Sequence, residues 1–297
     1  MNLSCDPKDF RIAASGKKTK SFKLTQLPTV VDKLYKNKKE YLSLMGSFTE
    51  ELSELQRVLY AHGRYSLLLI FQGMDTAGKD GAIRHVMSGV NPQGCQVHSF
   101  KQPSHEELAH DFLWRTTKRL PMRGHIGIFN RSYYEEVLIV KAVPEVLAAQ
   151  SLPQGYTEQA RFWTDRYRDI VQFEDYLHRN GTQVLKFFLH VSKEEQRQRL
   201  LSRAEEPDKH WKISEADLKS RAQWDDFQKV YGECLQNTSH ARAPWYCIPA
   251  DDKRNARLII SHILIEVLRG LPIRYPEPDE KQLIEVKRVR EILKKNG

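Results

Sequence analysis

Three features of the 297-residue sequence predict an α/β fold, a mainly parallel sheet in a three-layer α/β/α arrangement. The apolar run Leu67 to Phe71 leads into Gly73-x-x-x-x-Gly78-Lys79 and then into helix-forming residues, which is the strand, glycine loop and helix of a phosphate-binding loop. Four further short apolar runs alternate with stretches of helical periodicity, the pattern of strands crossing over through helices. The length suits one such domain with a full core.

Taken in order, residues 1–36 mix Lys, Ser, Thr and Pro28 with few apolar residues and read as an extended basic arm. Asn37 to His62 carries Tyr41, Leu44, Met45, Phe48, Leu52, Leu55, Val58 and Leu59 at helical spacing and stops at Gly63. A helix from Lys79 to Gly89 follows the glycine loop, and the turn Asn91-Pro92-Gln93-Gly94 opens a strand over Cys95 to Phe100. Ser104-x-x-Glu107 is a capping box, predicting a helix through Arg119. His125 to Phe129 is the third strand, ending in Asn130-Arg131-Ser132-Tyr133-Tyr134-Glu135-Glu136.

Gly155 to Arg179 reads as a long polar helix closed by Asn180-Gly181, and Val184 to Val191 as the fourth strand. Ser192 caps a helix to Arg203, and a Pro-broken charged turn, Glu205 to Lys212, interrupts it. A long helix from Ser214 to about Asn237, a fifth strand over Trp245 to Pro249 and a helix from a cap at Asp251 to Arg269 complete a main domain of residues 37–278. A lid is expected at about 197–222. After a Pro-rich connector, residues 279–297 form a helix with Leu283, Val286, Val289 and Leu293 on one face, expected to dock on the body or a second subunit.

Composition narrows the function. No apolar run is long enough to span a bilayer and no signal-type segment opens the chain, so a cytoplasmic protein without membrane contact is expected. The cysteines Cys5, Cys95, Cys234 and Cys247 lack metal or disulfide spacing. Of the net charge of +9, the first 40 residues hold +6 and residues 279–297 hold +2, leaving about +1 for the body. That distribution, with no nucleic-acid module, argues against a nucleic-acid partner.

The chemistry centres on the glycine loop. Gly73 and Gly78 let the backbone turn its N–H groups inward, Lys79 supplies a mobile charge, and the helix N-terminus adds its dipole. Asp80, a phosphate-site candidate and equally a first-turn acid favoured by the helix dipole, stands where such loops usually carry a magnesium-binding hydroxyl, and Asp75 lies inside the loop. A carboxylate beside bound phosphates repels them unless a divalent cation bridges the two, so Asp75 is the first candidate metal ligand. Asn130 ends the third strand where an aspartate is commoner and reaches a metal only through water. Arg131 beside it has forked donors suited to phosphate. Glu135 is a further metal candidate, and equally a first-turn acid. Arg199, Arg203, Lys209 and Lys212 around Trp211 have the composition of a lid that closes on phosphates.

Phe71 to Gly81, Gly89 to Gly94, Phe129 to Glu135 and the Arg199, Arg203, Lys209, Trp211, Lys212 set together resemble the polyphosphate kinase 2 family, over roughly Tyr35 to Pro276. The resemblance implies a P-loop kinase fold, magnesium (or manganese) dependence and reversible phosphoryl transfer between inorganic polyphosphate and a nucleotide, in a homo-oligomer, dimer or tetramer. It implies that Asp75 is a metal ligand and catalytic aspartate, that Lys79 and Arg131 hold phosphates, and that Arg199, Arg203, Lys209 and Lys212 contact nucleotide or polyphosphate. Met74, Asp80, Asn130 and Glu135 resemble the subgroup acting on nucleoside monophosphates and diphosphates. The competing readings are an ATP-dependent nucleoside monophosphate kinase and a non-enzymatic polyanion binder using the basic arm.

Overall fold

A computed structural model describes residues 3–13 and 22–295. At its centre a parallel sheet joins β1 (Ser66–Gln72), β2 (Cys95–Ser99), β3 (Ile126–Asn130), β4 (Thr182–His190) and β5 (Trp245–Pro249) in the order β2-β3-β1-β4-β5. β1 is buried along its whole length because it lies mid-sheet with helices over both faces, which is why it reads as a continuous apolar run. Phe71 stands opposite Asn130 on β3 and Phe187 on β4. The strand order reverses at β1, so the loops leaving β1, β3 and β4 meet at one sheet edge, where ligands of open α/β sheets bind.

The helices are α1 (Lys38–His62), α2 (Lys79–Val86), α3 (His105–Leu108), α4 (Trp114–Thr117), α5 (Ile139–Ala142), α6 (Pro144–Ala148), α7 (Phe162–Arg179), α8 (Lys193–Glu205), α9 (Glu215–Ala222), α10 (Trp224–Thr238), α11 (Lys253–Gly270) and α12 (Glu280–Lys295). The Asn37 side chain caps α1, and Gly63 ends it in the left-handed conformation at φ 65°. α1 and α2 pack with α11, while α7 packs on β4 and on α10. None of the helices among the described residues is long and apolar enough to cross a membrane.

Four expectations from the sequence are corrected. The helix expected over Ser104 to Arg119 is two single turns, α3 and α4, because Asp111 Oδ1 takes the Leu113 N–H at 2.9 Å and competes with the helical bond. The helix expected from Gly155 begins only at Phe162, Gly155 itself lying at φ 73°. The helix after Ser214 breaks at Gln223 into α9 and α10. The cap of α11 is Asp252, which accepts from the N–H groups of Arg254 and Asn255 at 2.8 and 3.2 Å; Asp251 instead accepts from Ser192 N at 2.8 Å and ties the starts of α8 and α11 together.

Residues 1–2 and 14–21 of the expected arm lie outside the described residues. The remainder packs on the body, with Leu3, Phe10, Ile12, Leu24 and Tyr35 buried. Arg11 bridges Tyr246, and the Ile12 N–H donates to the Trp245 carbonyl at 2.8 Å, so this segment covers the open edge of β5. Its apolar residues are too widely spaced to show as a period. α12 forms as expected and carries no buried residue.

Candidate active site

The loop after β1 is held open from outside. Lys79 Nζ donates to the carbonyls of Gly73 (2.7 Å) and Met74 (3.3 Å), Gln196 Nε2 to that of Asp75 (3.2 Å), and Arg199 Nη1 to those of Thr76 and Ala77 (3.0 Å each). Every carbonyl from Gly73 to Ala77 is therefore engaged. The N–H groups of Asp75, Thr76 and Gly78 meet no protein acceptor among the described residues, the arrangement of an anion-binding nest at a helix N-terminus. Gly73 is required for space, since a Cβ there would stand 2.9 Å from the Leu189 carbonyl oxygen. Gly78 is required for conformation, at φ 101°, and Thr76 adopts φ 63° despite its branched side chain.

Facing the loop, Arg131 sits at φ 64°, and its N–H donates to the Phe71 carbonyl at 3.0 Å. Its guanidinium spans two carboxylates, Asp75 Oδ1 at 3.0 Å and Glu135 Oε2 at 3.4 Å. Asn130 Nδ2 donates to Asp80 Oδ1 at 2.6 Å. Lys79, Asp75, Asp80, Asn130, Arg131 and Glu135 thus converge at one sheet edge. Burial, then repulsion from Arg131, pushes the Lys79 ammonium down to about 8, against the pull of Asp75, Glu135 and Asp80. Burial also raises the Glu135 carboxyl, against the pull of Arg131 and Lys79.

The lid residues divide. Arg199 is buried and satisfied on all five donors: Nε on Glu195 at 2.7 Å, Nη1 on the loop, and Nη2 on the carbonyls of Ala250 (2.6 Å) and Asp251 (3.1 Å). It joins the glycine loop to the end of β5 and has no donor left for a substrate. Arg203 Nη1 donates to the Lys212 carbonyl at 3.1 Å, and Lys209 pairs with Glu206 and with Ser202 Oγ. Lys212 Nζ lies 4.7 Å above the ring of Trp211, which is 78% exposed. Arg203, Lys209 and Lys212 therefore stand apart from the sheet-edge cluster.

Sequence reasoning missed a layer of buried polar residues beneath the site. Glu174 Oε1 accepts from the hydroxyls of Tyr133 (2.9 Å) and Tyr134 (2.8 Å), and Glu174 Oε2 from Lys186 Nζ (2.6 Å) and His240 Nε2 (3.0 Å). Although burial pushes its carboxyl up, Lys186 and His240 hold it below the usual range. This network anchors the two residues that follow Arg131 and Ser132. A lysine inside the apolar strand Val184 to Leu189 was the one available signal, since an unpaired buried ammonium is prohibitively costly. Gln196, on the face of α8 toward the loop, gave none.

For a divalent cation, no three carboxylate, imidazole or thiol groups cluster into a ready-made cage among the described residues. Magnesium seldom needs one, being held by one or two carboxylates together with water and substrate phosphates. Asp75, half-buried, and Asp80, exposed, both at the loop, fit that requirement. Next to Glu136 a cavity of about 330 Å³ is walled by the rings of Phe112, Tyr156 and Phe162, by Arg115 and Arg166, and by the carboxylates Asp111, Asp165 and Asp169.

Comparison with known proteins then bears on this geometry. The sequence model of the family described as polyphosphate kinase 2 (PPK2) matches residues 35–274. The chain is 52% identical to the ADP-polyphosphate phosphotransferase of Rhodopseudomonas palustris, over 97% of this chain and 98% of that protein. It is 44% identical to the AMP/ADP-polyphosphate phosphotransferase of Meiothermus ruber, over 84% of this chain and 90% of that one. Its fold is similar to the crystal structure of polyphosphate kinase 2 from Arthrobacter aurescens TC1, with a TM-score of 0.86 and 36% identity, covering 98% of this chain and 99% of the other.

Proposed function

The chain belongs to the polyphosphate kinase 2 family, transferases that move phosphoryl groups between polyphosphate and nucleotides, and on that premise we propose that it phosphorylates both nucleoside monophosphates and diphosphates. AMP and ADP are the first acceptors and GMP and GDP join them, the transfer is reversible, and magnesium or manganese is required. The names of the two relatives carry ADP alone and AMP with ADP, which agrees with the adenine acceptors. We further take residues 37–278 as the catalytic unit, with the lid near 197–222, acting in the cytoplasm as a homo-oligomer.

The observation that carries this reading is the carboxylate of Asp75, held by Arg131 at 3.0 Å, inside a loop whose Asp75, Thr76 and Gly78 N–H groups meet no protein acceptor among the described residues. A nest built for phosphate alone gains nothing from a negative side chain. A nest for phosphates that arrive with a cation does. Bound there through Asp75, with Asp80 and water on Asn130, and with Glu135 as a further ligand, the cation would draw charge from the phosphate oxygens.

In the transfer, a terminal phosphate oxygen of the acceptor forms a bond to the terminal phosphorus of the polyphosphate. The bond from that phosphorus to its bridging oxygen breaks, and the shortened chain leaves with the electron pair. The N–H groups of Asp75, Thr76 and Gly78 and the Lys79 ammonium bind the phosphates, and Arg131 spreads the developing charge. Arg203, Lys209 and Lys212 approach from the lid and exclude water. The cavity beside Glu136 takes the acceptor's nucleoside against Phe112 and Phe162.

Purified protein given ADP and polyphosphate, without ATP, should form ATP, and with AMP should form ADP and then ATP. Activity restricted to ATP plus AMP would favour the monophosphate kinase reading instead. Chelation of divalent cations should stop turnover, and added magnesium should restore it.

A further inference from the structure

Among the described residues the final helix buries none of its side chains against the rest of its own chain. The connector before it is tied to α1, where the Arg274 carbonyl lies 3.2 Å from His62 Nδ1 and the Tyr275 hydroxyl donates to Glu54 at 3.0 Å. Beyond that point, no hydrogen bond or ion pair among the described residues joins residues 278–295 to the rest of the molecule. Yet Leu283, Val286, Val289 and Leu293 recur at spacings of three and four and share one helical face, 46–68% exposed. An isolated helix of this length is marginal in water, so it needs something to cover that face.

Its charges indicate what covers it. From Glu277 to Glu285 four carboxylates (Glu277, Asp279, Glu280, Glu285) stand against Lys281 alone, and from Val286 to Lys295 five cations (Lys287, Arg288, Arg290, Lys294, Lys295) stand against Glu291 alone. The gradient suits the helix's own dipole, but a dipole asks for no apolar stripe. Two copies laid antiparallel would set each acidic half against a basic half and Leu283 against Leu293, with Val286 and Val289 about the two-fold axis. A parallel pair would set like charge on like. An anionic membrane would repel the acidic half.

We infer that α12 is a dimerisation helix, its apolar face packed antiparallel on the same face of a second copy of this chain in an isologous contact. The inference rests on the homo-oligomer proposed above and assigns the surface that makes it.

Sedimentation velocity on the full-length chain tests it. The wild type should run at twice the chain mass or more. Val286→Glu with Val289→Glu should halve that mass, with turnover per chain unchanged and far-UV circular dichroism losing no more helical signal than the 16 residues of α12 supply. Lys294→Glu with Lys295→Glu, and separately Asp279→Lys with Glu280→Lys, should each weaken association by roughly tenfold, and an equimolar mixture of the two should restore it. An assembly indifferent to Val286→Glu with Val289→Glu overturns the role of α12 and leaves the homo-oligomer standing. A wild type that is monomeric at every concentration overturns both. Charge variants that fail to recover on mixing overturn the antiparallel arrangement.

Discussion

Arg199 and Lys212 belong to the same basic segment and look interchangeable as sequence, yet the molecule uses them in opposite ways. Arg199 is buried, with five donors on five acceptors, and fastens the glycine loop to the end of β5. Lys212 is exposed, and its ammonium lies over the ring of Trp211. The sheet-edge cations are fixed before any substrate arrives, whereas the lid cations are held by contacts within the lid. Preorganised charge lowers a barrier without reorganisation, while movable charge admits and releases the substrate. A site that handles long, highly charged chains needs both.

The largest test of this contrast is Asp75→Asn, on the fixed side. It keeps a hydrogen-bond acceptor for Arg131 and removes the charge, so kcat should fall roughly a thousandfold or more with the thermal midpoint nearly unchanged. Turnover close to wild type would remove Asp75 from the chemistry. Arg199→Ala comes next. It strands loop carbonyls and Glu195, and should cost about 3 kcal/mol in denaturant unfolding, with Arg199→Lys recovering little because one ammonium cannot replace the fork. If Arg199→Ala instead raised KM with no loss of stability, Arg199 would belong with the lid.

Lys79 sharpens the contrast through pH. Its ammonium is pushed from its ordinary 10.5 down to about 8 in the folded protein, so the folded state binds the proton less tightly than the unfolded chain does. That charge opposes folding below pH 8, and the penalty is relieved as pH rises from about 8 toward 10.5. In that window the ligand-free wild type should gain stability relative to Lys79→Met, by up to about 3 kcal/mol, measured by urea unfolding. A constant difference across the window would mean that the fixed side is not under this electrostatic load. The smallest effect falls on the lid. Lys212→Ala should raise KM for polyphosphate about tenfold and leave stability within about 0.5 kcal/mol. A loss as large as that of Arg199→Ala would erase the distinction.

The legible parts of the molecule were the local ones. Gly73, Gly78 and Lys79 announce their loop because neighbouring residues build it, and β1 is visible because burial on both faces leaves no polar position in its centre. The role of Arg199 was not legible, since its acceptors Ala250 and Asp251 arrive from the loop after β5. The same holds for Glu174, whose partners come from the turn after β3, from β4 and from the turn before β5. Asp111 hid a helix break behind a sound capping box, because the competing bond is decided by one side-chain oxygen. The packing of Phe10, Ile12 and Leu24 is a long-range event with no local period.

The fastening of Arg199 has a mechanical consequence. It leaves α8 clamped at its middle, so a closing movement of the proposed lid would pivot on the C-terminal side of that clamp and leave the loop's tie to the end of β5 in place. A chain of identical phosphates drawn through a loop so tied meets the same gauge at every step. Shortened by one unit, it can slide forward and be seated again without the loop having to remake itself.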